Sequence, residues 1–342
     1  MNYLFYNRNF LSCHIHRAFF IYVYCCLIFN EEGMSVFCFL KKVVCLIFLL
    51  LLIMIPVSAE QISSPQVIVN LPSRTLQLYS GTAFIKEYSV AIGKPSTPTP
   101  LGSYTITSKE KNPTWIPPGR GYVVESGPDN PLGYRWMEFL PLYGIHGTNA
   151  PWTIGMAVSN GCIRMKEEDA EELFEVVKYG TSVKIIYERI KINVDSQGQA
   201  SIGIFPDLYG YQHLSLANVD DKLAEYGFKG FVSETVLLSM LRGETGKQVP
   251  FAKVHTLRVN DKTLREKAIT VGDTTYVPAW PVAVACNSNI VWDEQKQLIW
   301  KGKRGINGVI KGDIIYSKAE EISSLFGLES VLKEDNSLEL KD

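Results

Sequence analysis

Residues 145 to 165 read Ile-His-Gly-Thr-Asn-Ala-Pro-Trp-Thr-Ile-Gly-Met-Ala-Val-Ser-Asn-Gly-Cys-Ile-Arg-Met. The window carries a histidine, His146, and a cysteine, Cys162, each beside a glycine (Gly147 and Gly161), and it closes near an arginine, Arg164. Directly after it the periodicity becomes helical. Between Glu167 and Tyr179, the residues Ala170, Leu173, Phe174 and Val177 recur at i, i+3, i+4 and i+7 and make one apolar stripe. The first turn is acidic, Lys178 lies in the last, and Gly180 is the expected stop. Ser182 to Tyr187 then returns to a strand.

Upstream the pattern is β. Val67-Ile68-Val69 and Leu76-Gln77-Leu78-Tyr79 are short runs separated by Asn70-Leu71-Pro72-Ser73, the pattern of a hairpin. Ile85 to Ile92 and Tyr104 to Thr107 continue the sheet. Asn112 to Gly133 is crowded with Pro and Gly, and a loop of that length inside a domain is usually functional or mobile. Residues 60–189 therefore read as a mainly β domain with one long helix. Downstream, Asn193-Val194 and Ala200 to Phe205 flank a turn at Asp195 to Gly198. Two short helices follow, at Val219 to Tyr226 and, behind a Ser233 cap, to Leu241; Gly243 to Lys247 reads as a linker. This small α/β connector spans 190–253. Residues 254–342 form a β-rich C-terminal domain with a helix near Lys318 to Leu325.

The first 59 residues stand apart from the fold. Lys41 and Lys42 lead into an apolar run from Val43 to Ile55, Pro56 ends it, and Val57-Ser58-Ala59 offers small residues at a cleavage point. That order is a secretory signal. The run is short for a membrane span, which needs about 20 residues, so an uncleaved anchor is the second reading. Such a signal begins naturally at Met34, which places the true start downstream of Met1. Either way the rest of the chain is expected outside the cytoplasmic membrane, in the cell wall or on the extracellular face.

Removing the leader takes four basic and two acidic residues from totals of 34 and 35, which leaves 30 and 33. A net charge near −3 gives no support for a nucleic-acid partner. Of seven cysteines, only Cys162 and Cys286 remain. An exported chain with no disulfide framework and a Gly-flanked cysteine points to a reactive thiol, with a Cys162–Cys286 disulfide as the alternative.

A thiol attacks carbonyls as thiolate, and a free one titrates near 8.5, so it needs a base. His146 can take the Cys162 proton and later return it to a leaving amine. Gly161 frees the backbone for unusual dihedrals, and amides around Gly161 and Cys162 are candidate oxyanion donors. Arg164 favours the thiolate and can hold a carboxylate through its planar fork. Singly, His146 reads equally as a structural histidine and Cys162 as a small buried apolar residue. Trp152 reads as a groove wall or a core aromatic. His146 and Cys162 could ligate zinc, but no second Cys/His pair at ligand spacing accompanies them. No metal or cofactor is expected.

Taken together, His146-Gly147 followed by Ser159, Gly161, Cys162 and Arg164 resembles the L,D-transpeptidase (YkuD-type) catalytic domain, over about residues 65 to 187. Gly127 to Gly133 and the helix–strand ending are similar to that family as well. The resemblance implies a β-sandwich catalytic domain with Cys162 as nucleophile and His146 as base. Asn160, Gly161, Arg164, Ser159 and Gly147 are then the oxyanion and substrate-binding residues. It also implies acyl transfer between peptidoglycan stem peptides, with a tetrapeptide donor and an amine acceptor, and inhibition by carbapenem-type β-lactams. The family carries a second histidine where this chain has Asn160, which can donate a hydrogen bond but cannot titrate. Water as acceptor makes the same site an L,D-carboxypeptidase. A wall-binding module with a decayed site is the further alternative.

Residues 254–342 resemble a copper amine oxidase N-terminal-like (stalk) domain through Val259 to Lys262, Thr274 to Pro278 and Asn289 to Asp293, departing from it at Ala279-Trp280. No copper-ligand cluster accompanies the resemblance, and Cys286 reads as an apolar core position. For the leader, N-terminal sequencing of the exported protein is expected to begin at Glu60. A product that initiates at Met1 overturns the Met34 start.

Overall fold

Alternation builds the first sheet. In β1 (Pro65–Asn70) and β2 (Thr75–Ser80), Val67, Val69, Leu76 and Leu78 point one way and are buried, while Gln66 and Gln77 point the other. The two strands pair as the expected hairpin, Val67 opposite Leu78 and Val69 opposite Leu76. β3 (Ala83–Ser89) extends the sheet on one side. On the other, β11 (Ser182–Ile186) joins β1 in parallel and is flanked in turn by β5 (Gly102–Thr105). The computed structural model describes residues 62–117, 119 and 121–342, and groups residues 64–342 as one unit. The expected leader and its Met34 start lie outside the described residues. Among those residues no helix is long and apolar enough to cross a membrane.

A second sheet carries the window. Its order is β10 (Ile163–Arg164), β8 (Tyr143–His146), β7 (Arg135–Leu140) and β6 (Ser108–Lys111), with β10 parallel to β8. A third, two-stranded piece pairs β4 (Ile92–Gly93) with β9 (Ala157–Ser159). Helix α1 (Glu167–Val176) buries Ala170, Leu173 and Phe174, each burial stabilising by very roughly 1.5–3 kcal/mol for the larger side chains. α1 ends before the expected Tyr179. Val177 is extended, and the Lys109 ammonium donates to the Phe174 and Val177 carbonyls at 2.6 Å each, a cation set on the helix's negative end. Gly180, with φ +80°, belongs to the following turn instead.

From residue 190 onward one large sheet organises the chain. β12 (Ile190–Val194) and β13 (Gln199–Ile204) make the expected hairpin, whose turn is held by Asp195 Oδ1 accepting from the Gln197 and Gln199 amides. Helices α2 (Leu216–Glu225) and α3 (Glu234–Gly243) pack over it, opened by Ser215 and Ser233 hydroxyls that accept from the Asn218 and Val236 amides. β14 (Val249–Val259) pairs with β13 and runs unbroken through position 254. The connector and the C-terminal unit thus share one sheet, and Ile202, Leu223, Ile269 and Tyr316 share one core. That sheet continues into β15 (Lys262–Val271) and β16 (Thr274–Pro278), and helix α4 (Ala279–Ala285) follows, an element the sequence reading did not contain. Helix α5 (Ala319–Phe326) lies where a helix was expected.

The long loop at 112–133 is pinned. The Trp115 and Val124 backbones exchange two 2.9 Å hydrogen bonds, and the buried Asn130 amide donates to the Pro113, Val124 and Glu125 carbonyls while its oxygen accepts the Leu132 amide. Replacing Asn130 with Ala leaves these groups without their partner, so Asn130→Ala is expected to cost about 1–3 kcal/mol in denaturant unfolding and to make 113–132 the first site of limited proteolysis. Wild-type stability and cleavage in this variant refute the pinning.

Candidate active site

Register brings the window's chemistry to one face. Ile163 lies beside Ile145, both fully buried, so Arg164 and His146 share the opposite face. Strand alternation adds Gly144 and, just before β10, Cys162 to that same face. The Cys162 Sγ reaches the Leu142 carbonyl at 3.6 Å. Cys162 and Cys286 are both free thiols, so the disulfide alternative fails.

His146 is buried, and its Nδ1 sits 2.6 Å from the Gly147 carbonyl. Two lone pairs do not approach so closely, so Nδ1 carries the hydrogen and Nε2 is the basic nitrogen. Burial pulls the imidazole down to about 4, against the Gly147 and Leu132 carbonyls that favour the charged form. The Trp136 indole stacks on the ring, centroids 5.6 Å apart at 28°, from the register position opposite His146. Gly144 makes room for it, since a Cβ there would meet the indole at 2.6 Å.

Cys162 is shifted the other way. Burial pushes its thiol up, and a backbone hydrogen bond with Gly144 and the Arg164 charge oppose this without overcoming it. The resting pair is therefore neutral thiol and neutral imidazole. Arg164 is half-buried beside Cys162.

The glycines and the serine prove to be structural in ways that motif reading did not reveal. A Cβ at Gly147 would collide with the Glu167 carboxylate, which also accepts the Tyr134 amide at 2.8 Å. Gly161 has φ +116°, and a Cβ there would strike the Tyr143 ring. The buried Ser159 hydroxyl accepts the Gly161 amide at 3.0 Å and donates to the Cys162 carbonyl at 2.6 Å. The Gly161 amide is thus already engaged, which removes it from the expected oxyanion donors. The Cys162 amide stands outside that knot. Asn160 is exposed at the turn, and Trp152 is 72% exposed, which excludes the core reading.

The sequence leaves Trp136 and Tyr143 unmarked, and shows Asn130 only as part of the 127–133 stretch and Glu167 only as the start of the helix. The alternation of Trp136 and Glu138 against Met137 and Phe139 was the available signal for the β7–β8 hairpin. Among the described residues no three His, Cys, Asp or Glu side chains gather as a metal site.

The model of the YkuD L,D-transpeptidase catalytic domain matches residues 64–185. YqjB of Bacillus subtilis (strain 168), named as an L,D-transpeptidase, is 38% identical over 149 residues, 41% of this chain and 82% of that protein. YbiS of Escherichia coli (strain K12), likewise so named, is 34% identical over 152 residues, 40% of this chain and half of that protein. The solved structure of the transpeptidase LdtMt1 in complex with imipenem aligns with a TM-score of 0.31 at 20% identity, over 36% of this chain and 59% of that one. The chain belongs to the L,D-transpeptidase (YkuD) family.

A raised thiol on the same face as an imidazole that stays neutral down to about pH 4 sets a pH signature. Alkylation of Cys162 by iodoacetamide is expected to climb with a midpoint above the ordinary thiol value of about 8.5, without a plateau at lower pH. A rate that is flat from pH 5 to pH 7, as a thiolate–imidazolium pair gives, contradicts this electrostatic picture.

Proposed function

We propose that this protein is an exported L,D-transpeptidase that uses Cys162 to join peptidoglycan stem peptides. The observation that carries the reading is the shared face of Cys162, His146 and Arg164, with His146 Nδ1 committed to a carbonyl and Nε2 left basic. The Cys162 sulfur attacks the carbonyl of the third-position diamino acid in a tetrapeptide stem as its proton passes to His146 Nε2. The tetrahedral intermediate then breaks its C–N bond, D-alanine departs with the proton from His146, and a thioester remains on Cys162. An amine of a second stem attacks that thioester, restores the thiol and forms a 3→3 cross-link. The Cys162 amide is the oxyanion donor, with Asn160 beside it at the mouth of the turn. Arg164 receives a substrate carboxylate. Residues 60–189 are the catalytic part, and the stalk-like 254–342 serves as a spacer or wall contact.

Intact-protein mass spectrometry after incubation with a carbapenem is expected to show one adduct on wild type and none on Cys162→Ala. His146→Ala is expected to acylate about 10²–10⁴-fold more slowly. With a tetrapeptide stem and an amine acceptor, the acceptor-containing product is expected. D-alanine release with no acceptor incorporated makes the enzyme a carboxypeptidase, and an inert wild type leaves only a binding role.

A further inference from the structure

One phenol from beyond the matched region reaches back to the turn that carries Cys162. Tyr209 lies in the loop after β13, outside residues 64–185. Its hydroxyl donates to the Gly93 carbonyl at 2.6 Å and accepts the Thr99 amide at 3.4 Å. Gly93 is the register partner of Ser159, and the next amide, Lys94, donates to the Ser159 carbonyl at 3.0 Å. Thr97 Oγ1 donates to that same carbonyl at 3.2 Å. Ser159 in turn holds the Gly161 amide and the Cys162 carbonyl through its hydroxyl. The segment between Tyr209 and Ser159 has little freedom, because Gly93 is packed so tightly against Thr97 and Thr99 that a Cβ would overlap their backbone.

The loop presenting Tyr209 is itself fixed. Arg189, only 2% exposed, donates from Nε to the Phe205 carbonyl at 2.9 Å and from Nη1 to the Gln212 carbonyl, and its Nη2 meets Glu244 at 2.5 Å. Asp207 accepts the Tyr187 hydroxyl at 2.6 Å and the Tyr211 and Gln212 amides at 2.9 Å each. The Tyr209 amide donates to the Tyr187 hydroxyl, and the rings of Tyr187, Tyr209 and Tyr211 pack at centroid distances of 5.2 to 5.8 Å. A rigid platform anchored by a buried guanidinium thus aims one hydroxyl at the strand beside the nucleophile's turn.

We infer that Tyr209 is a positioning residue for Cys162, and that the chain after residue 187 is part of how the site is built rather than a detachable appendage. Tyr209 acts through Gly93, Lys94 and Ser159, and fixes the amide and carbonyl on either side of the nucleophile. Its kinetic consequence rests on the acyl-transfer reading above; its structural consequence does not.

The test is Tyr209→Phe in the full exported chain, which keeps the ring packing and removes only the hydroxyl. Amide hydrogen exchange at Lys94 and Gly161 is expected to quicken at least tenfold, while Val67 and Val69 in the first sheet keep wild-type protection. With the tetrapeptide donor and an amine acceptor, kcat is expected to fall about tenfold and the donor KM to stay within twofold. Unchanged exchange at Lys94 and Gly161 overturns the inference. So does a kcat loss matched by faster exchange throughout β1, which is ordinary destabilisation. If wild type itself transfers no acyl group, the functional reading fails, and the exchange comparison alone still decides the role of Tyr209.

Discussion

Cys162 sits between two very short strands, and everything about the candidate site depends on how that turn is held. β9 has three residues and β10 has two, too few to hold a geometry by their own pairing. The segment Ala91 to Lys94 clasps them from outside. Ala91 exchanges two 2.9 Å hydrogen bonds with Arg164 after the turn, and Ile92 and Lys94 donate to Met156 and Ser159 before it. β8 holds β10 from the other side, with the Met165 amide donating to the His146 carbonyl at 2.8 Å. Each such bond contributes on the order of 1 kcal/mol net, so rigidity comes from their number and their placement on both flanks of Cys162.

Side-chain exclusion does the rest of the positioning. Gly144 is bare so that Trp136 can lie across it and stack on His146. Gly147 is bare so that the Glu167 carboxylate can close on the backbone after His146, and burial raises that carboxyl above its usual range while the Tyr134 and Thr148 amides pull it back. Gly161 takes a left-handed conformation against Tyr143. These glycines look alike in a motif, yet each clears space for a different neighbour. Two of the three neighbours, Trp136 and Tyr143, come from the β7–β8 hairpin, and the third comes from the first residue of α1.

This explains how much could be read from the sequence. Apolar alternation in β1 and β2 and the 3.6-residue stripe of α1 are local signals, and the elements formed where those signals lie. His146 and Cys162 stand out as candidates because one glycine-flanked window holds both, and β8 and β10 set His146 and Arg164 side by side. The pinning role of Asn130 was illegible because the carbonyls it binds lie 5 to 17 residues away along an irregular loop. Tyr209 was illegible for a stronger reason, since its partner Gly93 is 116 residues distant and no periodicity records a single long-range phenol. The short helix α4 carries neither a side-chain cap nor a terminal glycine, so the usual boundary signals are missing there.

Burial also decides how the site stores its reactivity. Desolvation disfavours charge on both partners, lowering His146 to about 4 and raising Cys162. Moving the proton between them at rest is therefore unfavourable, since burial opposes the charged form of each. The thiolate is therefore not kept in reserve. In the proposed reaction the sulfur loses its proton only as it bonds to a carbonyl, when the new charge moves to an oxygen that the Cys162 amide can meet. A free thiolate invites oxidation and adventitious alkylation. In the proposed reaction, a neutral cysteine in a rigid turn, sharing a face with an imidazole that burial keeps neutral at rest, couples nucleophilicity to the presence of a substrate.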